Sequence, residues 1–179
     1  MKLKSEEIEI QNIDHLGIVA GIIDSIGIVE IINELIGVEK DEKVNAGQVV
    51  KAMIINGLGF VSKPLYMFPE YFETIACEPE VLNIKKVESM GMIMGLCLLV
   101  YTLAQREIRA ALRESKSTIK DQLGKLTDRP TLRWIFQCFQ GIHLVEYNNK
   151  KQVSNWTKDR DFILNLLPND CLRYYRLVT

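Results

Sequence analysis

Apolar residues recur at helical spacing over most of this chain and alternate only briefly. Ile8 and Ile10 alternate with glutamates, the period-two signature of a short strand or extended arm. From Asp14 the period lengthens. Ile18, Val19, Ile22, Ile23 and Ile26 fall on one face of a helix that Asp14 is placed to cap and Gly27 to end. Ile28, Ile31, Ile32, Leu35 and Ile36 repeat the spacing up to Gly37. After a charged loop, Glu39 to Lys43, Asn45 caps a third helix through Val49, Val50, Met53 and Ile54, with its end near Gly57 or Gly59. Pro64 and Pro69 then punctuate an aromatic segment, Leu65 to Ile75, which reads as one or two short helices.

Beyond Pro79 the pattern predicts a helix from about Val87 to Arg113, roughly 40 Å long at 1.5 Å per residue. Its first half, Met90 to Ala104, is apolar on every side, which predicts burial between other elements. This run has 15 residues, whereas a bilayer crossing needs roughly 20. Lys85, Lys86 and Arg106 at its ends suit a membrane anchor, but a core helix is the better reading. A polar loop, Lys116 to Arg129, leads to Pro130 and Thr131, which open a helix carrying Leu132, Ile135, Phe136 and Phe139 on one face. Ile142 to Tyr147 reads as a strand and Asn148-Asn149 as a turn. The end, Thr157 to Arg176, reads as a helix broken at Pro168. The predicted fold is mainly α: an N-terminal bundle of short helices, then a long helix with shorter helices and a small β element.

Composition is that of an ordinary globular chain, with 47% hydrophobic and 25% charged residues, but the net charge of -1 conceals an asymmetry. Residues 1–78 carry 6 Lys and no Arg against 13 Asp and Glu, a balance of -7; residues 79–179 carry the remaining 16 Lys and Arg against 10 Asp and Glu, or +6. The reversal at Glu78-Pro79 is the best boundary in the chain, dividing it into segments 1–78 and 79–179. The acidic half does not suit a helix-turn-helix reader of DNA, since across residues 14–78 only Lys40, Lys43, Lys51 and Lys63 stand among ten carboxylates. A protein-protein or dimerisation module fits it better.

The candidate chemistry is a basic stripe. Arg106, Arg109, Arg113, Lys116 and Lys120 recur at steps of three and four, so a continuing helix would hold them in one row. Such a row is either a solvated face, a face docked on an acidic surface, or a set of sequence-independent contacts to nucleic-acid phosphates. The cysteines, Cys77, Cys97, Cys138 and Cys171, lie too far apart for a zinc knuckle or redox pair and read as small buried hydrophobes in a reducing cytosol. His15 and His143 read as structural or surface residues, and Trp134 and Trp156 as core or groove anchors. The acidic start of the chain, without a secretory core, predicts a cytoplasmic protein.

Two stretches resemble a known family. Ile10-Gln11-Asn12-Ile13-Asp14-His15-Leu16-Gly17-Ile18-Val19-Ala20-Gly21-Ile22-Ile23-Asp24, with Val44-Asn45-Ala46-Gly47-Gln48-Val49-Val50-Lys51-Ala52-Met53 and Pro69-Glu70-Tyr71-Phe72, resembles the N-terminal domain of bacterial insertion-sequence transposases, over nearly all of residues 8–76. Gly95-Leu96-Cys97-Leu98-Leu99-Val100-Tyr101, Leu103-Ala104-Gln105-Arg106-Glu107-Ile108-Arg109 and Pro130-Thr131-Leu132-Arg133-Trp134-Ile135-Phe136-Gln137 resemble the C-terminal end of the same proteins. In intact members an RNase-H-like catalytic domain separates the two regions, and two Asp and one Glu there hold the Mg²⁺ ions that flank the scissile phosphate.

The resemblance therefore implies a transposase with its two ends joined at Glu78-Pro79 and its catalytic middle missing. Glu80 and Glu88 stand outside the family's motif and take no catalytic role. The expectation is a protein without enzymatic activity, cofactor or bound metal, retaining weak DNA binding or self-association. DNA, intact transposase or a second copy are the expected partners, with no membrane and no small-molecule substrate. A short regulator that binds intact transposase, and an unrelated helical adaptor, stand as alternatives.

Overall fold

A computed structural model describes residues 9–38, 43–59, 84–147 and 150–176. The proline-punctuated segment 65–75, the Glu78-Pro79 boundary, Cys77 and the turn at Asn148-Asn149 lie outside the described residues. The fold is mainly α, with small β elements among longer helices. In chain order the described elements are β1 (Glu9–Asn12), α1 (Leu16–Ser25), α2 (Ile28–Ile36), α3 (Ala46–Gly59), α4 (Ile84–Glu114), β2 (Ile119–Lys120), β3 (Leu126–Thr127), α5 (Leu132–Cys138), β4 (His143–Tyr147), β5 (Lys150–Ser154), α6 (Lys158–Leu164) and α7 (Asn169–Leu172).

The helix ends follow local chemistry. Gly27 at φ 69° and Gly37 at φ 88° stop α1 and α2 where the chain enters a region that side chains rarely adopt. Asn45 and Gln48 form a reciprocal capping box on α3: the Gln48 amide donates to Asn45 Oδ1 at 2.9 Å and the Asn45 amide to Gln48 Oε1 at 3.0 Å. Thr131 and Thr157 cap α5 and α6 by accepting from the amides of Trp134 and Arg160. Pro168 separates α6 from α7.

Asp14 has a different task from the expected helix cap. Residue 15 is the N-cap of α1 and makes no side-chain cap bond. Asp14 sits at φ 43° and its Oδ1 accepts from the amides of Gly141, at 2.7 Å, and Ile142, at 3.2 Å. Its backbone oxygen accepts from the Tyr175 hydroxyl at 2.6 Å, and its amide donates to Ile142 O at 3.1 Å. Short-range reading cannot foresee this, because all three partners lie more than a hundred residues away along the chain.

These bonds belong to a wider union of the first and last segments. β1 pairs antiparallel with β4, Asn12 opposite His143, and β5 completes a sheet of order β1-β4-β5. α1 packs on α7 so closely that a Cβ on Gly21 would lie 2.4 Å from Cys171 Cα, and one on Gly17 2.7 Å from the Tyr175 ring. A single hydrophobic cluster runs through Ile18, Ile22 and Ile54, then Ile93, Val100 and Ile108, then Phe139, Ile142 and Leu164. The described parts of 1–78 and 79–179 thus share one core. Phe139, Trp156 and Tyr175 meet at its C-terminal side with ring centroids 5.4 to 6.2 Å apart.

The long helix departs from expectation in one respect. Ile93, Cys97, Val100, Ala104, Ile108 and Leu112 are buried along one face, but Met92, Met94, Leu98 and Leu99 are 38–58% exposed. The apolar run is half covered, where its composition predicted burial all round. The Lys116–Arg129 loop holds the β2-β3 hairpin, and β5 follows the predicted strand; both are too short or too polar to have shown in the pattern.

Candidate nucleic-acid interface

The basic stripe begins as expected and then ends. Arg106, Arg109 and Arg113 follow one another along α4 on the side away from its buried face. The helix stops at Glu114 in a Schellman turn: the Ser117 amide donates to Leu112 O at 2.9 Å and the Lys116 amide to Arg113 O at 3.2 Å, with Lys116 itself at φ 50°. Lys116 therefore lies beyond the helix, and Lys120 lies in β2, where Trp134 Nε1 donates to its backbone oxygen at 2.7 Å. The five cations do not form one helical row. The cause is the turn at Ser115 to Ser117, which no glycine announced.

The same turn assembles a different group. By folding the hairpin back toward α4, it brings Asp128 and Arg129 beside Arg109 and Arg113 around an open hollow of about 410 Å³. Arg109 is half-buried, and its Nε donates to Pro130 O at 2.8 Å. Arg113 Nε donates to Arg109 O at 3.1 Å. Each guanidinium is thereby oriented by a backbone oxygen, so less side-chain freedom is lost when it meets an anion. Three guanidiniums against one carboxylate leave the hollow cationic and suited to phosphate oxygens.

Arg129 is the member that sequence reasoning missed. Its signal was faint: a cation directly before Pro130, the residue that opens α5 and whose oxygen holds Arg109. Two further hydrogen bonds and a ring contact tie α5 to α4 and fix that geometry. Gln105 Oε1 accepts from the Leu132 amide at 3.0 Å, the Tyr101 hydroxyl accepts from the Arg133 amide at 3.1 Å, and the Tyr101 ring meets Phe136 edge-on at 6.1 Å.

The other candidate groups are structural in their contacts. His15 is buried, donates through Nε2 to Leu58 O at 3.0 Å and stacks on Phe136 at 4.3 Å. Burial holds its pKa below the ordinary value, more than the Leu58 bond and Asp14 raise it. His143 Nδ1 meets Asn12 Oδ1 at 2.6 Å across the β1-β4 pair. Burial pushes the thiols of Cys97 and Cys171 up to about 11 and about 12, which leaves both protonated and unreactive at neutral pH. Among the described residues, no group of three or more His, Cys, Asp or Glu is placed to hold a metal ion.

Residues 8–92 match a domain of unknown function, DUF4277. The DUF4277 match takes in β1, α1, α2, α3 and the first turns of α4, and it contains the whole N-terminal stretch singled out above by resemblance. It runs past the charge reversal at Glu78-Pro79 into the long helix. The basic hollow lies outside it, in the remaining C-terminal part. No curated protein and no solved structure matches the chain.

Proposed function

We propose that this protein is a catalytically inactive remnant of an insertion-sequence transposase, which keeps a weak, sequence-independent contact to DNA phosphates. The observation that carries the DNA contact is the convergence of Arg109, Arg113 and Arg129, from two chain segments, on one open hollow. The transposase origin is supported by the paired resemblances at the two ends of the chain; the core that those ends share is equally what an intact helical adaptor requires. The inactivity follows from the same resemblance, because the two Asp and one Glu of the family belong to the missing middle.

Duplex DNA binding followed by fluorescence anisotropy against salt tests the reading. Three phosphate contacts predict that log K falls with log salt at a slope of about -2.7, roughly 0.9 per contact. Arg129→Gln reduces the slope by about one contact. Arg109→Gln with Arg113→Gln and Arg129→Gln abolishes measurable binding. Unchanged binding by that triple variant refutes the contact, and Mg²⁺-dependent strand cleavage that copurifies with the chain refutes the inactivity.

A further inference from the structure

We infer that the solvent face of α4 is a self-complementary docking surface, on which a second copy of this chain binds in antiparallel orientation. The inference does not rest on the transposase reading, and it uses none of the residues that line the basic hollow. On α4 the residues opposite the buried face are Glu88, Gly91, Met92, Gly95, Leu98, Leu99, Thr102 and Arg106, all exposed. Between the two charges the face carries no charged residue at all. Met92 is 54% exposed, Leu98 58% and Leu99 45%. Contiguous exposed apolar surface of this kind, bordered by charge, marks an interaction site.

The ends of the face name the occupant. Glu88 and Arg106 are five helical turns apart, so they project in the same direction about 27 Å from one another. Among the described residues neither is in an ion pair. A parallel partner copy would set Glu88 against Glu88 and Arg106 against Arg106. An antiparallel copy sets Glu88 against Arg106 at both ends, so charge selects the orientation and register. The two-fold axis of that pairing crosses the solvent face at the height of residue 97, whose own side chain is buried on the other side, which places Leu99 of each copy opposite Gly95 of the other and Met92 opposite Thr102. Among the described residues, a Cβ on Gly91 or Gly95 would meet nothing within 4 Å, which leaves a notch to receive Leu99. Interfaces that bring two helix backbones close commonly use small residues in this way.

A lipid surface fits the same helix less well. The most apolar window of α4 has a mean hydropathy of 1.3, enough for a crossing by length and composition. Its other face, however, packs through Ile93, Cys97, Val100 and Ala104 into a core shared with α1 and α3. A helix so engaged presents only one side to lipid.

Sedimentation equilibrium of the full chain, without DNA, tests the proposal. The native chain sediments as a concentration-dependent dimer. Gly95→Leu fills the notch without meeting a neighbour in its own copy, keeps the circular dichroism spectrum and weakens the dimer by about tenfold or more. Leu99→Ala does the same and serves if Gly95→Leu misfolds. Glu88→Arg and Arg106→Glu each weaken the dimer about threefold to tenfold, and the double reversal restores it to within about twofold. A monomer at every concentration overturns the proposal, as does a dimer indifferent to both Gly95→Leu and Leu99→Ala. A double reversal no better than the singles overturns the antiparallel register. Flotation of the chain with phosphatidylcholine vesicles and no dimer in their absence makes lipid the occupant and overturns it too.

Discussion

Two helices of this protein carry the same short pattern, a pair of glycines four residues apart in an apolar run, and they use it in opposite ways. In α1, Gly17 and Gly21 face Tyr174, Tyr175 and Cys171, and a methyl group at either would strike a neighbour at less than 3 Å. In α4, Gly91 and Gly95 meet no neighbour among the described residues. Composition is nearly the same at the two sites, yet one notch is filled by the segment from α7 to Tyr175 and the other meets nothing among the described residues. A small-residue notch shows that close approach is possible. Whether anything approaches is decided by tertiary structure.

The sharpest break of this comparison is Gly21→Ala. The new methyl group would sit 2.4 Å from Cys171 Cα, a backbone atom that cannot turn aside as a side-chain tip can. Either α7 moves away from α1 or the core opens, and overpacking of this kind costs about 3 kcal/mol. Urea denaturation followed by tryptophan fluorescence should show the loss, since Trp156 packs 5.6 Å from Tyr175 beside that helix. An unchanged midpoint would mean that α7 is not docked on α1.

The polar side of the same junction predicts a smaller loss. Asp24 at the end of α1 accepts from Lys51 Nζ at 2.5 Å and from the Tyr174 hydroxyl at 2.6 Å, and it pairs with Arg173. Burial pushes its carboxyl up, but the Lys51 and Tyr174 bonds and the two cations outweigh it and hold the pKa below 3.8. Asp24→Asn leaves Lys51 without its counter-charge and costs about 2 kcal/mol, read from the same urea curves. The sign with pH follows. A depressed carboxyl pKa contributes stability that is present above 3.8 and lost as pH falls through the folded value, so the variant should lose its disadvantage in strong acid.

A second pH window belongs to His15, which joins α1 to α3 and α5 through Leu58 and Phe136. Here the folded state holds the neutral ring, with a pKa below 6.5, so the unfolded chain binds the extra proton. Stability falls as pH drops through 6.5 toward the folded value and levels off below it. His15→Gln, which keeps a donor for Leu58 O, should flatten the fall of the denaturation midpoint as pH drops below 6.5. A native chain whose midpoint does not change over that window would show that the ring is solvated.

Much of the fold was legible because its signals are local. The stops at Gly27 and Gly37, the Asn45 cap, the Thr131 cap and the break at Pro168 each follow from residues within one turn of the boundary. What was not legible depends on residues far apart in sequence. Asp14 has the composition of a helix cap and spends its carboxylate on Gly141 and Ile142 instead. The candidate site divides in the same way. Arg106, Arg109 and Arg113 were readable from helical spacing, whereas the loss of Lys116 and Lys120 from the row and the arrival of Arg129 depend on a helix stop made by Lys116, a residue that rarely takes φ 50°.

The smallest effect closes the comparison of the two notches, and its sign is the point. Gly95→Ala adds to α4 the same methyl group that α1 cannot accept at residue 21. Among the described residues no atom lies within 4 Å to resist it, and alanine surrenders less backbone entropy than glycine on entering a helix. The substitution should therefore stabilise the monomer by about 0.5 to 1 kcal/mol, measured by urea denaturation at concentrations too low for association. If the α4 face is paired with a second copy, the same variant measured at high concentration gains less or nothing, because the methyl group intrudes where Leu99 of the partner copy docks. A destabilised monomer would mean that some part of this chain already occupies the notch, and the contrast between α1 and α4 would be lost.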